Sequence, residues 1–385
     1  MASLFLFYSA VFTLLILIFI TIELVRGVRT LRFLEDVPPV NLPTPPLVSV
    51  VIPARNEKRH IKMALQSVLG LRYPNFEVIV IDDRSTDETG EILDRMAVHN
   101  SLLRVFHIQK LPGDWLGKNY ALSYGASKAR GDLLLFTDAD VIMEPTTMSR
   151  AVSYLIKERL DHLTLSPALS MPSVILRIFV TGFYFFFSLY ARPWKARDPK
   201  SHAHIGIGAF NLIRKDVYQA IGTHQAIAMR PDDDMKLGKI VKKKGFSQGF
   251  LFGNSFISVE WYASVRELIQ GMLKNSFAGV GYRISMVVAA TLGQFMLFIW
   301  PFFALFLTGG PTRWIYVTIV LILLLILGYG AHLCHSNPWL GLGLPVASAL
   351  LLYIFWKSMI QTLWHQGIYW RETFYPLRLL KANKV

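Results

Sequence analysis

The sequence is poor in the things an ordinary soluble protein has in plenty. Only 17% of its 385 residues are charged, while 53% are hydrophobic; a soluble domain carries roughly 25% charge. There is a single cysteine, Cys334, so an internal disulfide and a CxxC metal site are both excluded. Acids are the scarcer charge, with 26 Asp and Glu against 40 Lys and Arg and a net charge of +14. The bases are scattered rather than gathered into a stripe, which argues against a nucleic-acid partner. Attraction to anionic membrane lipids and to diphosphate substrates explains them more simply.

The apolar excess is concentrated in a few runs. Residues 4–25 are almost uninterrupted apolar sequence, about enough to cross a bilayer core of roughly 30 Å. The run has no basic start and is longer than a signal-peptide core, so a retained anchor over 1–25 is expected. Arg26, Arg29 and Arg32 come directly after it. By the positive-inside rule the N-terminus then faces out, and the chain from Arg26 onward is cytosolic, at the cell membrane. A linker over 26–47 contains the proline-rich stretch 38–46, which reads as a stiff spacer. Runs at 284–307, 314–333 and 340–363 read as further spanning helices, making a multi-pass membrane protein. Three such spans would put the basic tail 364–385 outside, whereas Lys357, Arg371, Arg378, Lys381 and Lys384 argue for inside. The apolar, aromatic stretch 171–190 holds Arg177, Gly182 and Ser188 and is expected to lie in the membrane interface, as is 261–283.

Between the runs, residues 48–260 carry normal charge and an alternating βα pattern. Strands are expected at 49–53, 77–81, 103–108 and 133–137, and helices at 58–69, 86–98 and 119–129. That order implies a mostly parallel sheet with helices on its faces. Ligands bind at the carboxyl ends of such strands, and the acids collect there.

Asp138-Ala139-Asp140 follows the last of these strands. Two carboxylates spaced i and i+2 can reach one Mg²⁺ or Mn²⁺, hard ions that take oxygen ligands and keep room for phosphate. A helix cap in a solvated loop is the plain alternative. Asp82-Asp83 ends the second strand, ahead of Arg84-Ser85-Thr86-Asp87. One of the latter residues caps the next helix, while acids at a strand end can accept from a base or ribose. After the first strand, Pro53-Ala54-Arg55-Asn56-Glu57 supplies a cation for phosphate and polar groups for base or ribose. Lys118, at the start of a helix beside Gly117, can carry phosphate charge. Asp232-Asp233-Asp234 precedes a helix ending in Lys242-Lys243-Lys244. That pattern satisfies the helix dipole, yet three acids exceed what capping needs, and one can serve as a general base that the dipole keeps ionised. His202 and His204 are more plausibly structural than metal ligands.

Five segments in order resemble glycosyltransferase family 2 and its GT-A fold: VIPARNE at 51–57, VIDDRSTDE at 80–88, GKNYALSYG at 117–125, LLFTDADV at 134–141 and DDMKLGKIVKKKGF at 233–246. The resemblance implies an α/β GT-A nucleotide-sugar-binding domain joined to transmembrane helices. It implies a nucleotide-diphosphate sugar donor held near Pro53, Ala54, Glu57 and Asp83, a metal and diphosphate at Asp138 and Asp140, and a catalytic base at Asp234, with Asp233 second. The membrane layout resembles members that glycosylate lipids, such as ceramide glucosyltransferase and carotenoid- or hopanoid-associated enzymes. A lipid acceptor and inverting transfer are therefore expected. The Gln-x-x-Arg-Trp motif of many membrane members is absent, with Arg266 and Lys274 the nearest bases. This counts against a processive polysaccharide synthase. A nucleotidyltransferase would also use a nucleotide fold with paired acids, and a non-catalytic channel or scaffold would have let those acids erode.

Overall fold

The structure, a computed structural model, describes residues 2–39 and 43–385. Residues 40–42 of the proline-rich linker, and the first residue of the anchor, lie outside the described residues. The chain forms two compact units: Met1–Thr30, Met171–Tyr190 and Trp261–Leu377 in one, and Leu31–Ser170, Ala191–Glu260 and Arg378–Val385 in the other.

The second unit is built on an eight-stranded sheet. From one edge to the other its strands are Arg32–Phe33, Gln248–Phe252, His162–Ser166, Asn211–Arg214, Leu133–Phe136, Val48–Ala54, Phe76–Asp83 and Leu103–Ile108. Every pairing is parallel except those of Asn211–Arg214, which runs against both neighbours. The central strands read VSVVIPA and FEVIVIDD and are buried along nearly their whole length. Such continuous apolar runs belong to strands covered on both faces. One face packs on residues such as Ile61, Leu65, Leu93 and Met148, the other on Ala121, Leu122, Val217 and Leu237. A smaller sheet of Val141–Met143, Ile257–Glu260 and Ala168–Ser170 stands beside it.

Register brings the functional loops together. Ala54 pairs with Asp82, and Val51 with Phe136, so the chain leaves three adjacent parallel strands at one end of the sheet. Phe136 also faces Asn211 on the antiparallel strand, which sets Asn211 beside the exit of 137–140. The antiparallel strand was not anticipated from the sequence, nor was the two-residue edge strand Arg32–Phe33.

Among the described residues, five helical stretches, lying mostly in the first unit, are long and apolar enough to cross a membrane: Leu4–Val28, Val174–Lys195, Ile284–Leu307, Gly310–Leu333 and Pro338–Trp364. Stretch 284–307 is interrupted by a π segment, Phe295–Ile299. Pro301 is the second residue after it; its missing N–H leaves the carbonyl four residues back without a helical partner, and a wider turn there is the usual accommodation. Polar side chains bond across these helices: the Trp300 indole donates to Tyr316 Oη at 3.0 Å, and the Trp356 indole to Thr291 Oγ1 at 2.9 Å. Residues 367–376 form a hairpin of Gly367–Trp370 with Thr373–Pro376.

Candidate active site

The site begins with the loops that leave the parallel strands. Loop 55–58 is laced to loop 84–89. Ser85 Oγ accepts from the Asn56 amide at 3.0 Å, Asn56 Oδ1 from the Thr86 amide at 2.8 Å, and Thr89 Oγ1 from the Glu57 amide at 2.8 Å. Asn56 and Arg84 both take left-handed backbone, with φ of 54° and 56°. Asn visits that region readily, but for Arg it costs energy, and the lacing holds it there. Asp87 does the capping: its Oδ1 accepts from the Thr89 amide at 3.0 Å.

The two acids of the second strand go separate ways. Asp82 is buried and bonded to His107 Nδ1 at 2.9 Å, and His107 reaches on to Asp94. Burial opposes charge on His107, but these two carboxylates outweigh it and raise its pKa above the ordinary value. Asp83 is gripped by Arg84, with Nε 2.7 Å from Oδ1, and lies 3.8 Å from Arg55 Nη1. A Cβ at Gly117 would overlap the Asp83 carboxylate, so the helix start at Gly117 can approach Asp83 only as glycine. Asp83, Arg55 and Gly117 thus form one neighbourhood, and Asp82 is tied back to the adjacent strand.

Helix Gly117–Lys128 is anchored by its third residue. Asn119 is fully buried, and its Nδ2 donates to the carbonyls of Ile227, Ala228 and Arg230 at 2.8, 3.1 and 2.9 Å. That clamp fixes segment 227–230 just ahead of the Asp232–Asp234 cluster, and points Lys118 at the acids. Lys118 Nζ is 2.8 Å from Asp138 Oδ1 and 3.4 Å from Asp233 Oδ2. Burial disfavours its charge, but Asp138, Asp233 and Asp234 more than compensate and push its pKa above the usual lysine value. Lys118 is the internal counter-ion of the cluster.

The three acids before helix Asp233–Lys243 have distinct surroundings. Asp232 is held by Arg230 at 2.8 Å and by Lys236 at 3.1 Å, so it is structural. Asp233 faces Lys118. Asp234 accepts from the Gly208 amide at 2.9 Å through Oδ2 and from the Met235 amide at 2.7 Å through Oδ1. A Cβ at Gly206 would overlap the Asp234 backbone carbonyl, and one at Gly238 that of Ile205. The chain at 205–208 can therefore lie against the helix only because both surfaces are bare. The helix dipole was expected to keep Asp234 ionised. Burial, reinforced by the charge of Asp233, instead raises its pKa to about 7. Asp140 is also raised to about 7, by burial and then by Asp138 and Glu57.

Lys118, Leu122, Thr137, Asp138, Asp233 and Asp234 surround a pocket whose wall also includes Phe136, Gly208, Asn211 and His224. Three residues of that wall escaped the sequence reading. His224 is buried, stacked edge-on to Phe136 and bonded to Tyr218 Oη at 2.7 Å; burial lowers its pKa to about 3. Asn211 and Gly208 lie in a segment without a charge to draw notice. Pro53, Ala54, Arg55, Glu57, Asp82 and Asp83 belong to the neighbouring loops rather than to this pocket. His204 bonds the His202 carbonyl at 3.1 Å and does not line the pocket. Among the described residues, no group of three or more His, Cys, Asp or Glu is arranged to enclose a metal by itself.

Residues 49–222 match the model of glycosyl transferase family 2, so this segment is a domain of that family. Two relatives illustrate the likeness. A 4,4'-diaponeurosporenoate glycosyltransferase of Staphylococcus haemolyticus is 27% identical over 244 residues, 60% of this chain and 61% of that protein. A probable glycosyltransferase of Bacillus subtilis, YdaM, is 36% identical over 118 residues, 30% of this chain and 27% of that protein. The chain thus spans less than two thirds of the length of either. Among solved structures, a mannosyltransferase of Pyrobaculum calidifontis in complex with GDP-mannose and Mn²⁺ superimposes with a TM-score of 0.54 at 18% identity, covering 94% of this chain and 99% of that one. This second unit therefore has the GT-A fold.

Proposed function

We propose that the protein transfers a sugar from a nucleotide-diphosphate donor to the hydroxyl or carboxylate of a lipid, with inversion at the anomeric carbon. The observation that carries this reading is the convergence of Lys118, Asp138, Asp233 and Asp234 on one pocket beside the loops 53–57 and 82–84. The lipid acceptor is supported by the five helices apolar enough for a membrane and by the acceptor for which the staphylococcal relative is named.

Asp83, Arg55 and Glu57 would meet the nucleoside, with Pro53 and Ala54 forming the floor under it and Asp82 bracing the loop from behind. Lys118 would exchange one of its carboxylate partners for the diphosphate, offsetting the charge that builds on the leaving group. Asp138 and Asp140 fit a divalent cation such as Mg²⁺ or Mn²⁺. Burial, then the charges of Asp138 and Glu57, disfavour the ionised Asp140 carboxylate, and a bound cation would offset both effects. With only two carboxylates the protein leaves coordination positions for phosphate and water. When bound, the cation would supply Lewis-acid stabilisation of the diphosphate.

Asp234 would accept the proton of an attacking hydroxyl. Its two backbone N–H donors fix the carboxylate, and its raised pKa is near the value that suits a general base at neutral pH. Asp233, facing Lys118, is the second choice.

The test is a panel of UDP- and GDP-sugars, radiolabelled in the sugar, incubated with the purified full chain, Mn²⁺ and a membrane lipid extract. Label should move into the organic phase, with free nucleoside diphosphate as the other product. Release of pyrophosphate with a nucleotidyl product, or no transfer from any donor, would refute the reading.

A further inference from the structure

Deep beside the pocket lies a chain of uncharged polar side chains that the proposed mechanism does not use. Asn211, His162 and Gln248 sit on three adjacent strands and are each 2% exposed or less. Gln248 Nε2 lies 2.7 Å from the Gly238 carbonyl and 3.1 Å from His162 Nδ1. His162 Nε2 in turn meets Asn211 Oδ1.

The direction of every bond in this chain is determined. A carbonyl can only accept, so the Gln248 atom facing Gly238 is its NH₂. The second proton of that NH₂ goes to His162 Nδ1, which must therefore be the bare nitrogen. His162 is neutral, because burial depresses its pKa to about 4. Its one proton is then on Nε2 and is donated to Asn211. An Asn that accepts through Oδ1 on one side presents its NH₂ on the other. Asn211 lines the pocket, and among the described residues its Nδ2 has no hydrogen-bond partner. The arrangement also carries a cost: Gln248 Oε1 is buried without a partner, which usually costs on the order of 1–3 kcal/mol. Stability alone gives no reason to keep such a network.

We propose that Asn211 is a sugar-recognition residue, whose side-chain NH₂ is locked by His162 and Gln248 to donate a hydrogen bond to a hydroxyl of the transferred sugar. The surroundings select that ligand. Of the other polar wall groups, the carboxylates of Asp138, Asp233 and Asp234 accept, Lys118 is already engaged by them, Thr137 Oγ1 donates to the Ala209 carbonyl, and His224 is bonded to Tyr218 Oη. A ring hydroxyl both donates and accepts, so it can satisfy a carboxylate and the Asn211 donor together. A site built to hydrogen-bond a hydroxyl rejects analogues lacking it far better than an apolar wall does. Asn211 would thus act in the choice of sugar, whereas loops 53–57 and 82–84 act on the nucleotide. This inference rests on the glycosyl-transfer reading for its ligand.

The test uses Asn211→Asp, which keeps the acceptor that His162 needs and replaces the donor with a charged carboxylate oxygen. Equilibrium dissociation constants are measured on the full chain in lipid nanodiscs with Mn²⁺, for UDP and GDP and for their glucose, galactose, mannose and N-acetylglucosamine conjugates. Wild type should bind one conjugate more tightly than its bare nucleotide. The variant should lose that gain by about tenfold, the order of one hydrogen bond, while its affinity for the bare nucleotide stays within about twofold. Asn211→Ser, which removes the amide without adding charge, is measured beside it and should lose the same gain. Three results would overturn the inference: an unchanged ratio, a parallel loss of nucleotide and conjugate affinity, or a wild type with no sugar-dependent gain. Because the ratio is a binding measurement, it separates from the transfer assay. Absence of transfer would refute the proposed reaction even if the sugar-dependent gain and its loss were both seen.

Discussion

The ammonium of Lys118 lies 2.8 Å from the Asp138 carboxylate, so one of the two acids expected to hold a metal is already neutralised from within the protein. A divalent cation must compete with that lysine. Lys118→Met should therefore strengthen Mn²⁺ binding to the nucleotide-free protein while lowering the transfer rate by about 10²-fold or more, as expected when a charge that stabilises the transition state is lost. Titration of Mn²⁺ by electron paramagnetic resonance, alongside the transfer assay, checks both directions. Equal or weaker Mn²⁺ binding would mean that the ion does not sit at Asp138.

Asp138→Asn and Asp140→Asn should each abolish transfer and leave the circular dichroism spectrum unchanged. Chelation with EDTA should abolish wild-type transfer, and added Mn²⁺ or Mg²⁺ should restore it. Full activity in EDTA would remove the metal from the scheme.

Asp234→Asn should slow transfer by about 10²-fold or more, the usual contribution of a general base, with little change in nucleotide affinity. A base must be unprotonated. With the Asp234 pKa raised to about 7, the rate should fall as pH drops through neutrality and reach a plateau above it. In the Asn variant that acidic limb should vanish and leave a low, flat profile. If Asp233→Asn loses the limb and Asp234→Asn keeps it, the base is Asp233.

Connectivity of the sheet constrains the membrane topology. Strands His162–Ser166 and Asn211–Arg214 pair with each other, yet helix Val174–Ala191 lies between them in sequence. One crossing by that helix would put the two strands on opposite sides, so it should not cross. Likewise Ile257–Glu260 and Arg378–Val385 belong to one unit, so an even number of the three stretches between them should cross. Reporter fusions at residue 385 and within loop 109–116 should thus report the same side, the cytosolic one. Opposite sides would break the argument.

Much of the fold was legible because the parallel strands announce themselves as short apolar runs that end in polar loops. Strand Leu103–Ile108 coincides with its expected limits, and Val48–Ala54 and Phe76–Asp83 overrun theirs by one or two residues. Asp138, Lys118 and the Asp233–Asp234 pair stand out because charge beside apolar sequence is conspicuous. Asn211 does not, since a neutral amide in NLIR resembles loop chemistry until its neighbours are known. His162 and Gln248 are hidden for the same reason: the bonds that make them meaningful join residues up to 86 apart in sequence. The parity conflict at the basic tail is visible in the sequence. What bears on it is a contact the sequence could not supply, Asn383 bonding Met229 and Ala226 at 3.0 Å each.

That same contact bears on how the protein is made. Asn383 braces the segment that Asn119 clamps, and Lys239, on the helix that begins with Asp233 and Asp234, reaches the Val385 carbonyl at 2.8 Å. Asn383 and Val385 leave the ribosome after the five apolar stretches described above. The globular half can gather most of its sheet early, but the wall carrying the proposed base gains its final brace only once the hydrophobic segments have been synthesised. Biosynthesis thereby orders the two events, and a chain stalled before the tail would lack that brace.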